Sequence, residues 1–216
     1  AKELGIPEEQ WVYPTAGVQG YDHFSASVRD NFYSSPGLGL VGKRVMELAK
    51  VSPEEIDYVD LYSCFPSAVQ IAAHELGFHE ERPLTVTGGL TFGGGPLNNY
   101  VMHAVARTVE LLRETSGKKA FVSANGGNLY KHVHCVYSSQ APEEPFQYEN
   151  IQQEIDALPS RMCLSEHRGK VEVESYSVMY TEDKPAVAHC AGLTSDGARV
   201  WSVSYTHLTL PTIVGV

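Results

Sequence analysis

Positive charge is in short supply. Sixteen Lys and Arg stand against twenty-six Asp and Glu, a net charge of −10 over 216 residues, which argues against a nucleic-acid backbone or an anionic membrane as the main partner. Cysteine is sparse as well. Cys64, Cys135, Cys163 and Cys190 form no CxxC pair, so neither a disulfide framework nor a zinc ribbon is expected, and a reduced, cytoplasmic setting fits best. No apolar run approaches membrane-spanning length, and nothing at the start resembles a secretory signal. The chain opens AKELGIPEEQW, without an initiator methionine or a polar tail, and we expect a fragment of a longer protein.

Two apparent motifs fail on their surroundings. Gly37 to Gly42 satisfies GxGxxG, yet Ser34-Ser35-Pro36 precedes it where a dinucleotide fingerprint needs a strand. His74-Glu75 followed by His79 has the second histidine one residue too far for a zinc-protease helix, and Gly77 interrupts it. No metal site is expected.

The hydrophobic content, 43%, suffices for one full domain and a small second one. Trp11 to Val18 suits a strand, and Pro36 to Ala49 carries Leu40, Val41, Val45, Leu48 and Ala49 at helical spacing. A strand at Ile56 to Tyr62 precedes a helix from Pro66 to Leu76, closed by Gly77. Leu97 to Thr115 has an apolar stripe of Val101, Val105, Val109 and Leu112. Strands at Ala120 to Ala124 and Tyr130 to Ser138 flank the turn Asn125-Gly126-Gly127. This alternation predicts an α/β unit over residues 1–143, a mainly parallel or mixed five-stranded sheet with helices on both faces.

Residues 144–160, entered through the proline-rich APEEPFQYEN, read as a linker. Over 161–201, short strands at Lys170 to Tyr180, Ala186 to Ala191 and Arg199 to Val203 predict a small antiparallel β module, an incomplete barrel. Residues 202–216, SVSYTHLTLPTIVGV, resemble translated sequencing-adapter DNA, so a non-native tail is expected and is excluded from fold reasoning.

The richest stretch is Val86 to Tyr100, VTGGLTFGGGPLNNY. Its glycines allow positive φ and close backbone approach, Pro96 suits the first turn of a helix, and unpaired N–H groups there would face an oxygen or anion. Asn98, Asn99 and Asn125 could donate to a ligand oxygen; capping and turn formation are their other reading. Cys64 ends a strand where a helix begins, a place that can aim a thiol at a ligand, although a free cysteine is also an ordinary core residue. His132 follows the Asn-Gly-Gly turn and is a candidate base, or else a hydrogen-bonded structural histidine.

Three of these segments resemble the thiolase superfamily in its C-terminal half, over roughly residues 8–143. IDYVDLYSCF is similar to the strand leading to the family's Asn-Glu-Ala-Phe motif, or His-Asp-Cys-Phe in the sterol-carrier-protein thiolases, which places Tyr62, Ser63, Cys64 and Phe65 on its four positions. GGLTFGGGPLNN is similar to the segment ending in Gly-His-Pro, with Gly94, Gly95 and Pro96 on that triplet, and Ser123 to Gly127 occupy the second cysteine loop. The resemblance is strongest to acetyl-CoA acetyltransferase-like proteins with an extra C-terminal β domain. Together with the residue readings above, it leaves Cys64, Tyr62 and His132 as catalytic candidates and Gly94, Gly95, Pro96, Asn98, Asn99, Ser123, Asn125 and Gly126 as substrate-binding ones.

The pattern is also incomplete. Thiolases carry their nucleophilic cysteine in an N-terminal half that this sequence lacks, Gly95 replaces the histidine that activates it, and Ser123 replaces the second cysteine. The resemblance therefore implies an acyltransferase-like chain, inactive by itself, that meets coenzyme A thioesters as substrate with no bound cofactor. A dimer with itself or with a related thiolase-like subunit is expected. The alternative is a non-catalytic acyl-CoA-binding or scaffolding subunit beside an active partner. A third reading gives the β module a single-stranded nucleic acid or an acyl carrier, against which its scattered charges speak.

Overall fold

The computed structural model describes residues 1–204. The chain divides into two units: residues 1–24 with 33–158, and residues 25–32 with the segment from Pro159 onward.

The first unit is built on a mixed sheet of β1 (Tyr13–Tyr21), β2 (Tyr58–Asp60), β3 (Lys119–Gly126), β4 (Lys131–Ser138) and β5 (Gln147–Asn150). Their order is β2-β3-β4-β1-β5. β2 runs parallel to β3 and β5 parallel to β1, while β4 is antiparallel to both its neighbours. The turn after Asn125 makes β3 and β4 a hairpin, so the sheet is less parallel than strand–helix alternation alone suggests.

Ala16, Val18, Phe121 and Val136 on one face pack with Leu38, Val41 and Val45 of α1 (Pro36–Ala49) and Ala72, Ala73 and Leu76 of α2 (Pro66–Leu76). Both helices carry proline in the first turn, and both end on a left-handed residue, Lys50 and Gly77, as capping rules require. A short turn, α3 (Leu90–Gly93), precedes α4 (Tyr100–Glu114), whose Tyr100, Ala104, Thr108 and Leu112 are buried against the opposite face. α4 starts later than the periodicity implies. Leu97 takes a left-handed φ of 50°, which no helix continues, so Pro96 lies in a loop and not in the first helical turn.

The stretch read as a linker is structured. Val18 and Gln19 of β1 stand opposite Glu149 and Asn150 of β5, and α5 (Gln152–Asp156) buries Ile155 beside Ile151 in the core. Two isoleucines spaced for one helical face outweigh the polar composition around them.

The second unit holds an antiparallel sheet, β6 (Glu172–Thr181), β7 (Lys184–Leu193) and β8 (Arg199–Ser204), in sequence order. β8 extends through Ser202, Val203 and Ser204, which pair with Cys190, His189 and Ala188. The supposed non-native tail thus begins inside a strand, and its remainder, 205–216, lies outside the described residues. Arg199 organises this unit: fully buried, it forks onto Glu174 with both contacts at 2.6 Å. It also donates to Ser27 O at 2.9 Å and lies 4.2 Å from the Phe32 ring centre. Among the described residues, no helix is long and apolar enough to cross a membrane.

Candidate functional site

The site is assembled at the ends of β2 and β3 and the start of β4. Asp60 is buried at the end of β2 with its neighbours Val59 and Leu61. A buried carboxylate requires donors, and it has them: Thr85 Oγ1 at 2.9 Å, the Val86 amide at 3.0 Å and the Tyr100 hydroxyl at 3.1 Å. Thr85 and Thr87 then accept the Gly89 amide at 2.9 and 3.2 Å. The start of the glycine segment is thereby fixed to the sheet.

The residue before the cysteine completes the attachment. Ser63 Oγ accepts the Leu90 amide at 3.0 Å. Gly89, at φ 77°, would bring an added Cβ to 2.7 Å from that same oxygen, so both its backbone conformation and its neighbour call for glycine. Cys64 follows, partly buried, with Asn125 Nδ2 at 3.7 Å from its sulfur. Burial pushes the Cys64 thiol up from its ordinary value, opposed by the backbone N–H groups of Phe65 and Cys64 at the helix entry. The group is therefore a thiol near neutral pH, able to donate a proton.

The other candidates fall into three places. Tyr62 meets the Tyr100 ring edge-on at 5.4 Å, and burial, followed by Cys64, raises its phenol. Ser123 is buried and accepts the Tyr62 amide at 2.9 Å, stitching β2 to β3 at their ends. Gly94, Gly95, Pro96, Asn98 and Asn99 form an exposed rim together with Leu97. Gly126 lies one position past Asn125, opposite Lys131.

His132 is deeper, and its surroundings were not read from sequence. Its Nε2 lies 3.1 Å from Asp22 Oδ2 and 3.3 Å from Ser35 Oγ, and Ser35 donates to Asp22 at 2.6 Å. Asp22 Oδ1 takes the Gly37 amide at 3.1 Å, so the carboxylate also meets the positive end of α1. His132 stands directly opposite Asn125 in the β3–β4 register. The sequence signals for Asp22, Ser35, Asp60 and Ser63 are weak, since each is a short polar residue in or beside an apolar element.

Two clefts of this unit lie elsewhere. One of about 780 Å³ is lined by Met46, Pro53 and Leu76, and one of about 390 Å³ by Thr15, Val136 and Gln147; the second sits at the far ends of the strands. Neither includes Cys64 or Asn125, whereas the buried donors and acceptors converge at the open β2–β3 end. Among the described residues, no group of three or more His, Cys, Asp or Glu could hold a metal ion.

No protein-family model matches the chain. No curated protein matches it. Among solved structures it is similar to a monomeric SCP2-thiolase-like protein type 1 from Mycobacterium smegmatis, with 31% identity and a TM-score of 0.84 over 94% of this chain. The fold is thiolase-like. The chain spans 45% of that structure, slightly under half its length. Within the thiolase-like unit, the cysteine elbow, the glycine segment and the Asn-Gly-Gly turn meet at one end of the sheet, in the order in which the chain presents them.

Proposed function

We propose that this chain is part of a thiolase-superfamily, acetyl-CoA acetyltransferase-like protein that handles acyl-CoA thioesters at the β2–β3 end of its sheet. The observation that carries the reading is the junction of Cys64 with Asn125 Nδ2 at 3.7 Å and, through Ser63 Oγ, with the Leu90 amide at 3.0 Å. A thioester carbonyl needs hydrogen-bond donors beside it, and the chemistry next to it needs a proton that can move. The Asn125 amide, the exposed backbone N–H of Gly95, and Asn98 and Asn99 supply donors, while Cys64 supplies the proton. Ser123 and Gly126 shape the turn beside them, and Tyr62 closes the side next to α4.

Gly95, where the family has histidine, has no side chain with which to generate a thiolate on another residue. The second reading, a non-catalytic subunit that binds acyl-CoA and pairs with itself or with an active thiolase-like partner, rests on that position. Calorimetry with CoA and acetyl-CoA tests the first requirement of both: binding of acetyl-CoA, weakened by Asn125→Ala, supports the site, and failure of either ligand to bind removes it. Thiolysis by a chain that includes the remaining half, abolished by Cys64→Ser, decides for catalysis; binding without turnover decides for the subunit reading.

A further inference from the structure

Two buried acceptors without partners lie on neighbouring strands, one of them on the residue whose amide reaches Cys64. His132 and Asn125 are register partners on β4 and β3, which sets their Cβ atoms about 5 Å apart on one face of the sheet. His132 is fully buried, and among the described residues neither its Nδ1 nor Asn125 Oδ1 meets a hydrogen-bond partner, although both atoms are inaccessible. Buried polar atoms without partners are costly and uncommon.

Their hydrogen-bonding state follows from their other contacts. His132 Nε2 sits on the Asp22 carboxylate, whose Oδ2 already receives the Ser35 hydroxyl, so the imidazole proton belongs on Nε2. That leaves a lone pair on Nδ1. The Asn125 amide turns its N–H₂ toward the Cys64 sulfur, leaving its carbonyl oxygen as a second acceptor. One small molecule with two hydrogens can satisfy both acceptors.

We propose that a water molecule seats between Asn125 Oδ1 and His132 Nδ1 and carries protons between the Cys64 thiol and the Asp22-anchored imidazole. The water donates to both acceptors and accepts from the thiol, which gives it the three partners typical of buried water. In the forward step the S–H bond breaks, that proton joins the water oxygen, and one water proton forms the new Nδ1–H bond. Sulfur keeps the electron pair, and Asp22 stands as counter-ion to the imidazolium. The reverse step returns the proton to sulfur. The charged and titratable groups around His132 are Asp22 from the end of β1, Glu75 of α2 through its 2.8 Å contact with the Ser35 amide, and His134 on β4; Cys64 is reached through its register partner Asn125.

The inference deepens the role given to Cys64 but needs no acyl-CoA, so the two can fail separately. The experiment is alkylation of this chain by iodoacetamide from pH 6 to 10, with the Cys64 peptide followed by mass spectrometry. His132→Gln and Asn125→Ala are each expected to move the Cys64 midpoint upward by about one pH unit, the scale on which losing a proton acceptor or a hydrogen bond that favours the thiolate acts. Cys163, which is exposed, serves as the internal standard and keeps its profile. Nitrogen NMR of the unsubstituted chain tests the other half without any risk of misfolding: a neutral His132 ring protonated on Nε2, with Nδ1 accepting a hydrogen bond, is expected. An unshifted Cys64 midpoint in a folded Asn125→Ala chain, or a neutral ring protonated on Nδ1, overturns the relay.

Discussion

Tyr100 donates its hydroxyl hydrogen to Asp60 Oδ1 at 3.1 Å, joining the first residue of α4 to the last residue of β2. Thr87 Oγ1 is 2.8 Å from the same hydroxyl, so one buried carboxylate holds the two elements that bracket the glycine segment. Asp60→Ala removes the shared acceptor of the Thr85 hydroxyl, the Val86 amide and the Tyr100 hydroxyl, leaving the amide without a partner and the hydroxyls with Thr87 alone. A loss of about 3 kcal/mol in urea unfolding is expected, with Tyr100→Phe costing about 1 kcal/mol because only one bond goes. Equal costs for the two would show that the carboxylate does not organise the loop.

Gly89 and Gly95 should differ sharply in their tolerance of substitution. Gly89→Ala places a Cβ 2.7 Å from Ser63 Oγ at a φ of 77° and is expected to cost about 2 kcal/mol. Gly95 has only Leu90 Cδ2 at 3.4 Å from an added Cβ and no left-handed φ. Gly95→His is therefore expected to change stability by no more than about 0.5 kcal/mol. Comparison of their urea midpoints checks the pair.

His134 makes the first unit sensitive to mild acid. It is entirely buried, and burial first, then the neighbouring His132, holds its imidazole well below the ordinary histidine value. The folded chain thus refuses a proton that the unfolded chain accepts near pH 6.5, so the stability due to this group is present above that pH. It is lost as pH falls below it, down to the folded value, at about 1.4 kcal/mol per pH unit. Urea midpoints at pH 7.5, 6.5 and 5.5 should fall in that order, and His134→Phe should flatten the last step.

Arg199 is the corresponding pivot of the second unit. Replacement by Met removes the fork onto Glu174 and leaves an acid that is only 14% exposed without its cation; about 3 kcal/mol is expected. Arg199→Lys should recover only part of this, because a single ammonium cannot match two carboxylate oxygens and the Ser27 carbonyl together. Trp201, whose ring lies near Phe32, provides the fluorescence signal for the measurement.

The helices Pro36–Ala49 and Pro66–Leu76 were legible to the residue, since proline at the start, a capping residue at the end and a 3.6-residue stripe agree there. β5 was not, because a four-residue edge strand carries no periodicity and its polar composition reads as a connection. At the site, Cys64 and Asn125 could be named because each lies in a recognisable turn. Asp60, Ser63 and the Asp22–Ser35 support of His132 could not, since their meaning depends on partners 13 to 110 positions away in sequence. The start of α4 was misjudged for a local reason: Leu97 favours a helix by propensity, and only its left-handed backbone shows that the loop continues.

β5 has a bearing on handling as well as architecture. It shields the outer backbone groups of β1 along Ala16 to Gln19, a row that would otherwise be free to recruit extended peptide from another molecule. Proteolytic nicking between Ala141 and Phe146, followed by loss of the downstream piece, should convert well-behaved protein into assemblies that grow strand by strand and bind amyloid-reporting dyes.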